Sequence, residues 1–330
     1  MKFKPLLFFM LLAALYGQWA LWSNPSLPVG EADKGVGAMK GTIYYGVQLQ
    51  SMFIDWWHDP VEGEPFEHSG LLNTFLVSPS IIYGASDKIN IMASTQIGIR
   101  SMVWDKSISS IHHRTESTFK GFNNANPGVL GDTKILLRYL AKNDGIGQGS
   151  RIILGGGLSV PSKSQLTSDP FFLNGEKRGE HRHFSLSSGA YKYIIESQIF
   201  FKQPVNPVFF GGFIIYEHAI KESSYGYLPP PLLNASLSAT FKRFDARDTS
   251  IGYGLGLLQS GKGYWNGKEE PNSQSLSLIP SVSFLVNSRF GALSFNLQKP
   301  VFIKGAFITN EGDIKQGSNI WQFAISIRKV

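Results

Sequence analysis

A few stretches of this chain carry side chains whose type and spacing suit chemistry. One is His181-Arg182-His183-Phe184-Ser185. Residues two apart on an extended chain share a face, so His183 can take the hydroxyl proton of Ser185. That is the pairing of a lipid-cleaving hydrolase, in which polar neighbours also orient the imidazole. No asparagine follows here, because the run continues Leu186-Ser187-Ser188-Gly189. Histidines of an ordinary loop are the plainer account, and no catalytic residue is assigned. The adjacent His112-His113 pair sits in a polar stretch. Neighbours on extended chain point apart, and no carboxylate or third histidine stands at ligand spacing, so no metal is expected. Gly155-Gly156-Gly157 lacks the Lys-Ser/Thr of a phosphate loop. It lies mid-strand, where glycine relieves crowding. No cofactor is expected. Trp56-Trp57-His58, read as part of the first loop, suits a mouth cap, a ligand contact or an interfacial position.

The most extensive set is electrostatic. Arg100, Asp132, Lys134, Arg138, Lys192, Glu196 and Lys202 all fall on even positions of alternating segments. A strand sends successive side chains to opposite faces, so in each segment these charges share one face. If that face is the inside of a closed sheet, mixed charges line a lumen and tune what passes. A salt-bridged interior that only holds the sheet together has the same pattern.

The elements that position these charges are hairpins. In residues 129–143, Val129, Thr133, Ile135, Leu137 and Tyr139 oppose Asp132, Lys134 and Arg138. A polar turn over 143–150 leads to a return strand. There Ile152, Leu154, Leu158 and Val160 oppose Arg151, Gly155, Gly157 and Ser159. Leu136 and Ile153 break the alternation. The same device runs from residue 42 to 329. Strands are expected at 42–53, 71–83, 89–103, the two above, 184–202, 208–216, 233–242, 251–258, 274–286, 290–301 and 319–329. Their connections alternate long and short. Twelve strands, one face mainly apolar, and that rhythm predict a closed antiparallel transmembrane β-barrel of up-and-down topology. Closure pairs every backbone donor and acceptor, as hydrocarbon demands. Tyr44, Tyr83, Trp104, Tyr139, Tyr216 and Trp321 lie near strand ends and fit interfacial girdles. A secreted β-sandwich is the rival architecture.

Composition bounds the rest. The chain has 330 residues, 35 of them glycine, and no cysteine. Absence of cysteine excludes a disulfide scaffold and a thiolate zinc site. The net charge of +7 is spread singly, without a basic run, so nucleic acid is not an expected partner. Residues 1–23 combine a basic start with an apolar stretch, the pattern of a signal peptide. An uncleaved anchor is the alternative. Residues 24–39 are small and polar, a tail or a lumen plug, and 40–330 form the barrel.

Several segments resemble the outer-membrane barrels of the meta-pathway phenol-degradation family. They are Pro79-Ser80-Ile81-Ile82-Tyr83-Gly84-Ala85-Ser86-Asp87-Lys88, the Gly131–Tyr139 stretch, Leu158-Ser159-Val160-Pro161, Ile279-Pro280-Ser281-Val282 and Gln298-Lys299-Pro300-Val301. Lys163 stands where the family has glycine. The resemblance implies a barrel in the outer membrane that passes small hydrophobic or aromatic molecules by diffusion. The expected partners are outer-membrane lipid, the small-molecule solute and, during insertion, the barrel-assembly machinery. Lipid hydrolysis through His183 and Ser185, or a structural or adhesive role of the loops, are the alternatives.

Overall fold

In the computed structural model, the residues described are 38–60, 66–104, 116–119, 124–144, 148–170, 184–242, 249–288, 291–306 and 315–329. The barrel strands are β1 (Ile43–His58), β2 (His68–Gly84), β3 (Ile89–Trp104), β4 (Leu130–Asn143), β5 (Gly149–Val160) and β6 (Lys192–Lys202). They continue as β7 (Phe209–Ala219), β8 (Leu232–Lys242), β9 (Thr249–Ser260), β10 (Ser275–Ser288), β11 (Gly291–Gln298) and β12 (Gln316–Lys329). Each pairs antiparallel with its neighbours in sequence. β12 then pairs with β1 from Tyr45↔Lys329 to His58↔Gln316. The sheet is therefore a closed twelve-stranded up-and-down barrel.

An eleven-residue strand such as β6 is about 36 Å long, enough to cross a hydrocarbon core when tilted. β11 is shorter, but the chain resumes after Lys299-Pro300 as Val301–Gly305 and pairs with the start of β10. Proline cannot donate to a ladder, which accounts for the break.

Alternation decides which face meets lipid. Ile135, Leu137, Leu154, Ile195, Ile214 and Leu237 point outward and are exposed. Aromatic pairs bracket this apolar belt. Phe201–Phe210 and Phe241–Tyr253 meet at centroid separations of 5.0 and 5.9 Å at the end where the short turns lie. Phe53–Phe323 and Tyr193–Tyr216 do so at 5.9 and 6.1 Å toward the other end. Tyr83, Tyr139 and Trp321 are exposed on the outside and Tyr216 faces outward, as girdle residues should. Tyr44 and Trp104 are corrections. Both lie on the inward parity, Tyr44 against Arg328 and Trp104 against Trp56.

Two strands differ from the sequence expectation. β1 runs to His58, so Trp56 and His58 are inward-facing strand residues and not part of a loop. β6 begins only at Lys192. Residues 184–190 fold instead into the barrel mouth, with Phe184, Leu186 and Ala190 each no more than 2 % exposed. Gly189, at φ 72°, reverses the chain before β6. Of the segment expected as tail or plug, residues 38 and 39 are described. Ala38 is buried and exchanges two 2.9 Å hydrogen bonds with the side chain of Asn90 near the start of β3. Residues 24–37 lie outside the described residues.

Candidate functional site: the barrel lumen

The inward face of β4 to β7 is a wall of compensated charge. Arg138 donates to both carboxylate oxygens of Glu196, Nη2 to Oε2 at 3.1 Å, and Lys134 pairs with Glu217. Lys192 reaches Asp132 at 3.4 Å. Glu196 is 2 % exposed. Charges so buried persist only when paired, and the bidentate fork is the strongest such pairing. Register explains how partners on β4 and β6 meet across an intervening strand. Arg138 lies opposite Gly155, and Gly155 opposite Glu196. With hydrogen for a side chain, β5 leaves the gap open. The glycine run thus relieves crowding, as expected from its mid-strand place.

The long-loop end of the lumen has the opposite character. Met52, Ile54, Trp56, Leu72, Met102 and Ile320 converge there around Phe184, all buried. The expectation of a polar lumen therefore holds only for part of its length. Above this ring the aromatic series Trp56, His58, His68 and Phe66 stacks at successive centroid separations of 5.5, 4.7 and 4.8 Å. The inward segment is held by hydrogen bonds. Arg100 Nη1 donates to the Ser185 carbonyl, and Ser164 O accepts from the Leu186 and Ser187 amides at 3.1 and 2.9 Å. Arg100 is 4 % exposed.

Below the apolar ring lies a chamber of about 120 Å³. Asp132, Lys134, Arg138, Glu196 and Glu217 form one side; Gln48, Ser78, Gln96 and Asn234 are among its other polar groups, and Ile82, Met92, Leu136, Ile194 and Ile215 supply apolar surface between them. From β8 round to β12 the wall is mostly neutral, with inward Ser238, Ser277, Ser283, Asn296, Gln298 and Gln322 all buried; Arg328 of β12 is the charged exception, lining the chamber with its guanidinium over the Tyr44 ring.

The structure thus brings together five of the seven expected charges, Asp132, Lys134, Arg138, Lys192 and Glu196. Arg100 sits apart, beside the inward segment. Lys202 is exposed at the end of β6, at the turn end of the barrel, and does not line the chamber. Ser185 lies in the inward segment, whereas His183, His112 and His113 fall outside the described residues. Among the described residues no cluster of three or more His, Asp or Glu could hold a metal. Sequence reading missed Glu217, because the seventh strand was ended at residue 216. Its parity with Phe213 and Ile215 was the available signal. It missed Phe184 because an apolar alternation looks the same whether it lies on a barrel wall or is folded inside one.

No family model matches this sequence, and no curated protein matches it. Solved structures do. An outer-membrane channel from Pseudomonas putida F1 matches with a TM-score of 0.56 and 12% identity, over 91% of this chain and 100% of that one. The likeness is one of fold. More distant neighbours are a deletion mutant of the TodX monoaromatic hydrocarbon channel and the CymD monoaromatic hydrocarbon channel. Their TM-scores are 0.43 and 0.40, at 9% and 8% identity, covering 88% of this chain in both cases and 91% and 89% of theirs.

Proposed function

We propose that this barrel is a passive outer-membrane channel for small molecules. The observation that carries the reading is the chamber of mixed polar and apolar lining inside a closed sheet with an apolar outer belt, with a collar of apolar side chains above it. Unfilled space inside the barrel is useful to a channel, whereas a purely structural barrel gains by filling it with packed side chains. A closed barrel with an apolar outer belt is a fold of outer membranes. The collar and the stacked rings above it favour neutral solutes that present an apolar face, hydrophobic or aromatic ones included. An ion would shed part of its hydration there without full replacement, so the ion current of the open barrel should be small though measurable. The resemblance to the phenol-degradation barrels points the same way. This reading assigns no catalysis to the chain, and the charged residues Asp132, Lys134, Arg138, Lys192 and Glu196 serve as walls of the path. The test is reconstitution of the folded barrel into planar bilayers and liposomes. Single-channel steps or solute flux are expected; a correctly folded sample showing neither would sink the reading.

A further inference from the structure

Part of the chamber's polar lining is unused. Asn234 is 1 % exposed, and neither its Nδ2 nor its Oδ1 has a hydrogen-bond partner among the described residues. The Nε2 atoms of Gln48 and Gln96 and the hydroxyl of Ser78, on β1 to β3, are buried and likewise without one. All four line the same space. Buried polar groups are normally paired, and an orphaned amide carries the whole desolvation penalty of its atoms. Structure alone gains nothing from four such groups around one chamber.

We propose that this chamber is a binding site for a small neutral polyol; the proposal rests on the channel reading and names its solute class. Charge is the first argument. The cations and anions of the β4–β7 wall are tied to one another, Arg138 to Glu196 and Lys134 to Glu217. An ionic ligand held by that wall would have to break a buried pair, whereas a neutral one leaves both intact. Arg328, the further cation lining the chamber, is drawn over the Tyr44 ring on the other side. Hydrogen-bond type is the second. Asn234 offers a donor and an acceptor side by side, Gln48 and Gln96 offer donors, and Ser78 offers either. A hydroxyl gives and accepts at one atom and complements all of them. Because the orphaned groups come from β8 on one side and β1 to β3 on another, a ligand must carry several hydroxyls to reach more than one. Size is the third. A chamber of about 120 Å³ has room for several waters, the scale of a small polyol. Above it, the collar and stacked rings offer apolar faces to the carbon side of such a molecule.

The experiment measures ribitol entry into proteoliposomes against concentration, with KCl conductance as the control for a folded, open barrel. Wild-type flux is expected to saturate, and ribonate, the same carbon chain bearing a carboxylate, is expected to compete poorly. Asn234→Leu should raise the half-saturation concentration about tenfold, the worth of one or two net hydrogen bonds. Gln48→Leu, on another side of the chamber, should act in the same direction and decides the matter if the first variant does not fold. Ribitol flux that is absent or linear in concentration while KCl conductance persists would overturn the site alone. So would half-saturation unmoved in both variants, or equal competition by ribonate. Loss of both flux and conductance from a folded wild-type barrel would overturn the channel reading itself.

Discussion

A Cβ atom placed on Gly155 would stand 2.5 Å from Cγ of Glu196. The Glu196 side chain lies over β5 on its way to Arg138, so the glycine and the ion pair are one device. Gly155→Val should push the carboxylate aside and leave Arg138 buried without its partner. Breaking a buried pair from one side costs about 3–5 kcal/mol, and Glu196→Gln should cost a similar amount. Replacing both partners, as in Arg138→Met with Glu196→Leu, should bring stability back to within about 1–2 kcal/mol of wild type, because no charge is left unpaired. Urea unfolding in vesicles, read by gel mobility, checks this. If the double variant is no more stable than Glu196→Gln, the pair is not what the glycine accommodates.

The inward segment is the second target. Phe184 is 2 % exposed within the apolar collar, and Arg100 holds the neighbouring carbonyl of Ser185. Phe184→Ala removes a buried aromatic side chain, a loss of about 3–5 kcal/mol in packing. Because most of the barrel ladder does not depend on that ring, the loss should appear as undocking of the segment and not as global unfolding. Single-channel conductance should rise in Phe184→Ala and in Arg100→Met. Unchanged conductance in both would show that the segment does not narrow the path.

Much of this architecture is written in the sequence, and the omissions have a common cause. Period-two alternation placed the ladder, the lipid face and the ion-pair residues Asp132, Lys134, Arg138, Lys192 and Glu196, because in a barrel parity alone decides inside from outside. It does not decide what the inside contains. Met52, Ile54 and Trp56 hold the same parity as Gln48 and Gln50, yet the first three build the collar and only the latter two read as lumen. Phe184 and Leu186 alternate like a strand but have no ladder partner, and only the closed barrel supplies the space they fill. The partners of each charge were also illegible. The link of Arg138 to Glu196 depends on the β4–β5–β6 register, and that register follows from turn lengths which the sequence leaves loose.

The turn that sets one of those registers carries a pH prediction. In the β4–β5 turn, Asp144 Oδ2 accepts from the Ser150 amide at 2.8 Å and from its hydroxyl at 3.0 Å. The Ser150 amide first, then its hydroxyl and the nearby Lys142, hold the Asp144 carboxyl below the usual carboxylate range. A carboxyl depressed in the folded state contributes stability above its unfolded pKa and loses it as pH falls through the folded value. The turn should therefore hold at neutral pH and loosen below about pH 4. Exchange of the Ser150 amide should accelerate in that acid window in wild type, and should be pH-independent beyond intrinsic chemistry in Asp144→Asn. Gly149, at φ 137°, packs beside Asp144, so Gly149→Ala should loosen the same turn at every pH. An acid response that persists in Asp144→Asn would place the cause elsewhere.

Leu237 tests the membrane itself. It lies at the middle of β8, points outward and is 69 % exposed, while its neighbours Ser236 and Ser238 point into the lumen. In water an exposed leucine is nearly free to change, and an arginine there would cost little. Facing hydrocarbon at the midplane of a barrel, arginine costs about 2–4 kcal/mol. Leu237→Arg should therefore lower unfolding free energy by that amount in lipid vesicles. The penalty should shrink toward the ends of the strand, so Phe241→Arg, close to the turn, should cost about 0–1 kcal/mol. The depth dependence is the decisive feature, because a buried protein–protein face would penalise both positions and a solvated face neither. Equal effects at the two positions would mean that something other than a bilayer covers the outer belt.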